Sequence, residues 1–367
     1  MRLRTALSAR LDLRLPIIQA PMAGGPSSPE LVAACSAAGA LGCFGFAYAQ
    51  PAEMEKQAAW VREKTARPFL VNLFASPQPH EIAAAAQRSA LEAVAGYYAE
   101  FGMPLPEPVK PPYAPDFEAQ LDAVERIRPK AFTSHLAALP SERLRKFQSL
   151  GIVVGGSATN LAEAAALESL GVDFIIAQGG EAGGHRGTWL RDPYDALTGT
   201  LALTRLIVRA VRAPVVAAGG IMDGEGIAAV LALGAQAAQL GTAFIPCPES
   251  GASQVHKQAL LAAREDDTRI TEKFSGKPAR GLVNRFMTEM AQAPQLAFPA
   301  QNSITGKLRA ASAKAGKPDC VALWAGQGAP LARALPAAEL IDRLETETVA
   351  AIRRAAAMLE GPERAGP

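Results

Sequence analysis

Eight short apolar runs, spaced by alanine-rich helical stretches, constrain this chain more than any other feature. The runs are Pro16–Ala20, Ala40–Gly45, Pro68–Leu73, Lys130–Ser134, Gly151–Gly155, Val172–Ala177, Pro214–Ala218 and Ala237–Leu240. They are continuous, with no alternation of apolar and polar residues, as expected of parallel strands covered on both faces. The stretches Pro29–Ala38, Thr159–Leu170, Leu201–Val211 and Gly224–Leu233 read as helices between them, and Gly39 and Gly171 stand where two helices must stop before the next strand. Strands alternating with helices are βα units on a parallel sheet.

Eight units favour a closed (β/α)8 barrel of the TIM type over an open sheet. A barrel takes roughly 250 residues and accepts insertions, and this chain has 367. An open doubly wound sheet would carry a glycine-rich phosphate turn after its first strand. Here that turn is Pro21-Met22-Ala23-Gly24-Gly25-Pro26, which lacks the G-x-G-x-x-G spacing.

Two segments break the rhythm. Residues 76–117 are rich in proline, with a helix expected near Glu81–Phe101, and follow the third strand, so they should lie over the barrel mouth as a cap. Residues 247–367 form a C-terminal helical and loop extension near the mouth, ending in a frayed tail at Gly361–Pro367. The barrel is then 1–75 and 118–246. The basic start, Met1–Arg14, has no apolar signal core and should close the barrel bottom.

Composition removes several function classes. Lys and Arg number 37 against 35 Asp and Glu, which leaves no electrostatic footprint for nucleic acid or an anionic membrane face. No apolar run approaches the ~18 residues of a membrane span. Cys35, Cys43, Cys247 and Cys320 lack metal-ligand spacing and read as buried free thiols of a reducing compartment, hence a cytoplasmic protein with no metal. The oligomeric state stays open, with a homodimer one option.

In a barrel of this type, polar residues at the C-terminal strand ends read as active-site residues. Gln19 and Met22 flank the end of the first run, Asn72 lies near the end of the third, and His135 ends the fourth. Ser157 follows the fifth, Gln178 the sixth, and Gln239 and Thr242 straddle the end of the eighth. Ala218-Gly219-Gly220-Ile221 and Gly241-Thr242 follow the seventh and eighth runs, where a barrel commonly binds phosphate through backbone N–H groups. Asp223 is placed to cap the next helix. The loop Gln178–Gly187 brackets Glu181 with glycine pairs and then presents His185 and Arg186. So glycine-rich a loop is entropically costly unless backbone must lie against a ligand. Of the four histidines, His80, His135, His185 and His256, the one on this loop is the first catalytic candidate and His135 the second.

Taken together, Pro16–Gly25, the Gln178–Gly187 loop with its Gly-His-Arg-Gly, Ala218–Ile221, Gln239–Phe244 and Leu323-Trp324-Ala325-Gly326-Gln327-Gly328 resemble the nitronate monooxygenases, formerly 2-nitropropane dioxygenases. The resemblance runs from about Leu15 to Gly328. It implies FMN without a metal, and oxidation of alkyl nitronates, propionate-3-nitronate among them, by O2 to a carbonyl compound and nitrite. Carried over, the FMN contacts are Ala20, Pro21, Met22, Asn72, Gln178, Gly183, Gly220, Gln239, Leu240, Gly241 and Thr242. His185 becomes the active-site histidine and His135 a second pocket histidine. The partners are the small-molecule nitronate or nitroalkane and O2. A nitronate is already an anion and needs only groups to hold its oxygens; a neutral nitroalkane would need a base, and an imidazole can serve either need. The competing reading on the same scaffold is an NAD(P)H-dependent FMN reductase of quinones or enoyl thioesters. A flavin-binding protein without turnover is disfavoured by the presence of His185.

Overall fold

The computed structural model describes residues 3–75 and 81–359 of the chain. The start of the proline-rich insertion, His80 and the tail Gly361–Pro367 lie outside them. The eight barrel strands are β1 (Ile17–Gln19), β2 (Gly42–Gly45), β3 (Phe69–Phe74), β4 (Ala131–His135), β5 (Val153–Ala158), β6 (Phe174–Gln178), β8 (Val215–Ala218) and β9 (Ala237–Leu240). A two-residue strand, β7 (Gly184–His185), interrupts the series. The parallel order is β1-β9-β8-β6-β5-β4-β3-β2. A bridge between Ile18 and Leu41 brings the two ends together, with Gln19 N donating to Leu41 O and Leu41 N to Ile17 O, both at 2.9 Å. The sheet is a (β/α)8 barrel.

One apolar cluster fills the interior. Ile18, Cys43, Leu70, Ala131, Val153, Phe174, Val216 and Ala237 supply one residue from each barrel strand. Leu7, Leu11 and Leu13 join the same cluster. The N-terminal segment therefore plugs the bottom, through a short helix, Ala6–Arg10, whose cap residue Thr5 exchanges hydrogen bonds with Ser8. Thr5 Oγ1 also donates to Gln236 O at 2.6 Å, pinning the plug to the loop before β9.

β5 runs three residues beyond its expected end at Gly155. An added Cβ at Gly155 would meet the Phe174 ring at 2.5 Å, and one at Gly156 would meet Leu167 at 2.6 Å. The glycine pair makes room on both faces of a continuing strand and does not end it.

Helices surround the sheet, and their starts follow the sequence. Ser28, Asp116, Asn160 and Asp223 each accept a hydrogen bond from the first turn of the helix they precede. The packing splits the C-terminal stretch in two. The helix Ala337–Ala357 packs between the helices Pro29–Ala37 and Gly224–Ala232, with Leu340, Ile341 and Leu344 in the layer that also holds Ile17, Ala238 and Leu240. It fills the eighth place in the helix ring. The chain between β9 and this helix folds over the mouth, with a hairpin of β10 (Thr268–Thr271) and β11 (Ala279–Leu282) and a helix, Ala300–Lys314.

The insertion after β3 contains a helix, Ala84–Glu100, that stands behind this cap. Val94, Tyr97 and Tyr98 pack with Phe274, Phe286, Met287 and Leu308, and Tyr98 Oη donates to Ile304 O at 2.6 Å. None of the described residues 81–117 lines the mouth cavity. Among the described residues no helix is long and apolar enough to cross a membrane.

Candidate active site

A cavity of about 530 Å³ opens at the C-terminal ends of the barrel strands, under the cap. Ala20, Pro21, Met22, Asn72, Gln178, Gly183, Gly220, Gln239, Gly241 and Thr242 all line it, as do His135 and His185. Leu240 does not: its side chain is buried in the outer layer between sheet and helices, and only its carbonyl reaches the strand end, accepting from Ala20 N at 2.7 Å. A strand alternates its faces, so Gln239 and Leu240 cannot both point inward. Gln19 also stays out of the cavity, bracing the end of β1 by accepting from Cys43 N at 2.8 Å and donating to Ser27 Oγ at 3.0 Å.

The Gly-His-Arg-Gly loop is built into the cap as β7, pairing antiparallel with β11 through His185 opposite Ala279. Gln178 clamps it from the barrel side: its Oε1 accepts from Gly187 N at 2.7 Å and its Nε2 donates to His185 O at 3.0 Å. Arg186 is fully buried beneath the loop and donates to the carbonyls of Gly179, Gln178 and Ala196. Glu163, also fully buried, accepts from Trp189 N at 2.7 Å and Leu190 N at 3.0 Å. Neither charge faces the cavity; both hold the loop.

The two loop-associated histidines differ in what they have free. His135 Nε2 lies 3.1 Å from His185 O, a carbonyl that can only accept, so the proton is on Nε2. Its Nδ1 then accepts from Ser157 Oγ at 2.9 Å, and the ring is fully engaged. His185 Nε2 lies 2.9 Å from Ser275 Oγ, which gives its own proton to Lys277 O at 3.1 Å. Nε2 of His185 is therefore the donor, and Nδ1 keeps a lone pair with no partner among the described residues.

The surroundings keep both rings uncharged. Burial, then the cationic neighbours Arg186 and Lys277, push His135 down to about 4 against the backbone bond that raises it. Burial, then His135, Lys277 and Arg309, push His185 down to about 3. Phe74, Phe298 and Trp324 stand around His185 with ring centroids 5.3, 5.7 and 5.7 Å away. A third histidine, His256, donates from Nε2 to Trp324 O at 3.1 Å and is held at about 4 chiefly by burial.

Among the described residues the cavity walls hold three histidines and Arg309, and no Asp or Glu. With the three imidazoles neutral, the positive charge of these walls is that of Arg309. At the β8 end, no acceptor among the described residues takes the N–H of Gly219 or Gly220, and both have positive φ, at 118° and 70°. Thr242 Oγ1 accepts from Gly326 N at 2.9 Å, which leaves its own proton to give. Gln239 Oε1 is buried without a partner. Together these groups could hold a ligand that bears an anion at one end and a hydrogen-bond donor along its length.

The sequence profile of the nitronate monooxygenase family matches residues 6–347. The chain belongs to the nitronate monooxygenase family. A nitronate monooxygenase of Pseudomonas aeruginosa is 44% identical over 345 residues, which cover 92% of this chain and 97% of that protein. The crystal structure of nitroalkane oxidase from Streptomyces ansochromogenes superposes with a TM-score of 0.89 at 41% identity, covering 96% of this chain and 100% of the other. FabK from Thermotoga maritima shares the architecture more distantly, with a TM-score of 0.75 and 26% identity over 97% of this chain and 99% of its own. Nitronate monooxygenases are flavoenzymes, and this member is an oxidoreductase.

Sequence reasoning did not single out Tyr48, Phe74, Ser275, Asn302 or Arg309, all of which line the nitronate monooxygenase cavity. One signal was available for the last two. Asn302, Gly306, Arg309, Ala310 and Ala313 recur at helical spacing, and that face of Ala300–Lys314 is the one turned to the cavity. Gly183 lines the cavity and has a further reason to stay small. An added Cβ there would meet Gly326 N at 2.5 Å and the Ala325 carbonyl carbon at 2.6 Å, so the residue is kept small by the Leu323–Gly328 loop.

Proposed function

We propose that the chain binds FMN and oxidises alkyl nitronates with O2 to a carbonyl compound and nitrite. The observation that carries this reading is the charge of the cavity: among the described residues Arg309 lines it with no carboxylate beside it, and aromatic walls surround a neutral His185. FMN suits the residues present. Its phosphate would take the unused N–H groups of Gly219 and Gly220 and the Thr242 hydroxyl, and its donors would satisfy Gln239 Oε1. Ala20, Pro21, Met22, Asn72, Gln178, Gly183 and Gly241 would border it. Bound FMN would supply the electron acceptor that passes electrons on to oxygen.

The protein's part is to hold the nitronate, exclude water and keep His185 in place. A base held near 3 has little driving force to take a proton from carbon. A preformed nitronate needs no such transfer, so the geometry favours the anion over the neutral nitroalkane. His135, with both nitrogens engaged, serves as a positioning residue for the His185 backbone. Four free, buried cysteines support a reducing, cytoplasmic setting.

The test is oxygen uptake and nitrite release with one substrate offered as nitronate and as neutral nitroalkane, in parallel with anaerobic mixing with NADH. Nitronate-dependent uptake with FMN released on denaturation is the expected result. Rapid flavin bleaching by NADH without nitronate turnover would point instead to the competing reading, an NAD(P)H-dependent FMN reductase on the same scaffold. His185→Asn keeps a donor but loses the lone pair. If His185 only positions the anion, losses on the two substrate forms should match; if it is the base, the nitroalkane loss should be larger by roughly 10²–10⁴-fold.

A further inference from the structure

One cation in the cavity wall, Arg309, has no counter-ion among the described residues. Arg309, on the helix Ala300–Lys314, spends only Nη2 on the protein, donating to Asn302 O at 3.1 Å and Asn302 Oδ1 at 2.7 Å. Its Nε is buried without a partner, and no hydrogen bond among the described residues uses Nη1. Among the described residues no carboxylate lines the cavity to neutralise it. Gly306, one turn earlier, leaves the space beside the guanidinium clear: an added Cβ would stand 3.7 Å from Nη2. A cation sequestered in this way costs free energy unless an anion visits it.

Its place in the barrel separates it from the phosphate glycines. Arg309 lies close enough to Tyr48, which follows β2, and to His185 for its charge to act on both, and Phe74 at the end of β3 stands between those two rings. The Tyr48 and Phe74 rings are 6.1 Å apart, and the Phe74 and His185 rings 5.3 Å. Gly219 and Gly220 follow β8, which stands directly across the ring from β3. A cofactor phosphate on those glycines leaves the Arg309 charge to something else.

We propose that Arg309 is the substrate-anion anchor of this cavity, its free N–H groups receiving the nitronate oxygens beside His185. This rests on the nitronate reading above. Arginine suits the task because it keeps its charge when buried and presents several donors in one plane, as a planar oxyanion presents acceptors.

The experiment uses the FMN-loaded protein and sodium nitrate, a planar oxyanion that it cannot oxidise, followed by the change in flavin absorbance. Wild type, Arg309→Met and Arg309→Lys are compared. Arg309→Met should weaken nitrate binding by roughly 10- to 100-fold, the worth of one hydrogen bond to a charged group. KM for the nitronate should rise alongside with FMN content unchanged, and Arg309→Lys should recover most of the loss. Nitrate that fails to bind wild type, or binds Arg309→Met equally well, overturns the proposal. So does a variant that loses FMN but, once reloaded, binds nitrate normally, because Arg309 would then serve the cofactor. Should Arg309→Met not fold, Arg309→Lys decides: a charge kept in place must keep nitrate within about tenfold of wild type. Arg309-dependent nitrate binding without nitronate turnover would remove the nitronate reading and leave the anion site standing.

Discussion

Three neutral histidines, His256 buried and His135 and His185 half-buried, make the stability of this enzyme depend on pH in a way that can be counted in protons. In the folded protein His135 and His256 are held at about 4 and His185 at about 3. In the unfolded chain all three return to about 6.5. Above that value both states are neutral and the histidines favour neither. As pH falls below it, the unfolded chain takes up protons that the folded one refuses, and stability is lost until the folded values are reached. At pH 5.5 each unfolded imidazole carries about 0.9 proton and each folded one almost none, so unfolding takes up between two and three protons on their account. Stability should fall there by roughly 3–4 kcal/mol per pH unit from these groups alone. His256→Gln isolates one of them, because the glutamine amide can still donate to Trp324 O. Proton uptake on transfer from buffer to concentrated guanidinium at pH 5.5 should be about 0.9 proton smaller for the variant. A difference below about 0.3 would mean that His256 titrates freely in the folded protein, and the reasoning from burial would fail.

Two further outcomes test the architecture. Leu11→Ala empties part of the barrel plug and should cost about 2–5 kcal/mol by calorimetry or denaturant titration, since Leu11 is fully buried among the interior residues; a loss under about 1 kcal/mol would show that the N-terminal segment is not part of the core. Gly183→Val drives a side chain into the Ala325–Gly326 backbone and should displace the Leu323–Gly328 loop, read as faster amide exchange at Gly326 and Gln327 and weaker FMN retention; unchanged exchange would mean that the two loops do not touch.

The barrel was legible because strands covered on both faces leave unbroken apolar runs, and all eight appear within a few residues of their expected places. The boundary error at β5 arose because Gly155 and Gly156 look like punctuation locally. What they accommodate, the Phe174 ring and Leu167, is distant in sequence. His185 stood out because glycines bracketed it. Arg309 did not, because a cation on an alanine-rich helix reads as a solvated face until the tertiary structure turns that face inward. The different ring contacts of His135 and His185 depend on Ser157, Ser275 and a backbone carbonyl, and no spacing in the sequence could have revealed those partners.

The helix Ala337–Ala357 completes the ring that β9 began, but most of the mouth cap, with its hairpin β10–β11 and the helix Ala300–Lys314, lies between them in the chain. A ribosome therefore finishes the ligand-bearing part of this enzyme before it finishes the wall. Until the last helix emerges, Leu31, Ile227 and Val230 have one side uncovered, and a nascent chain exposes an apolar seam that any chaperone can read. Shortening the C-terminus as though it were a tail would make that seam permanent, so the boundary for any fusion or truncation lies after Ala357.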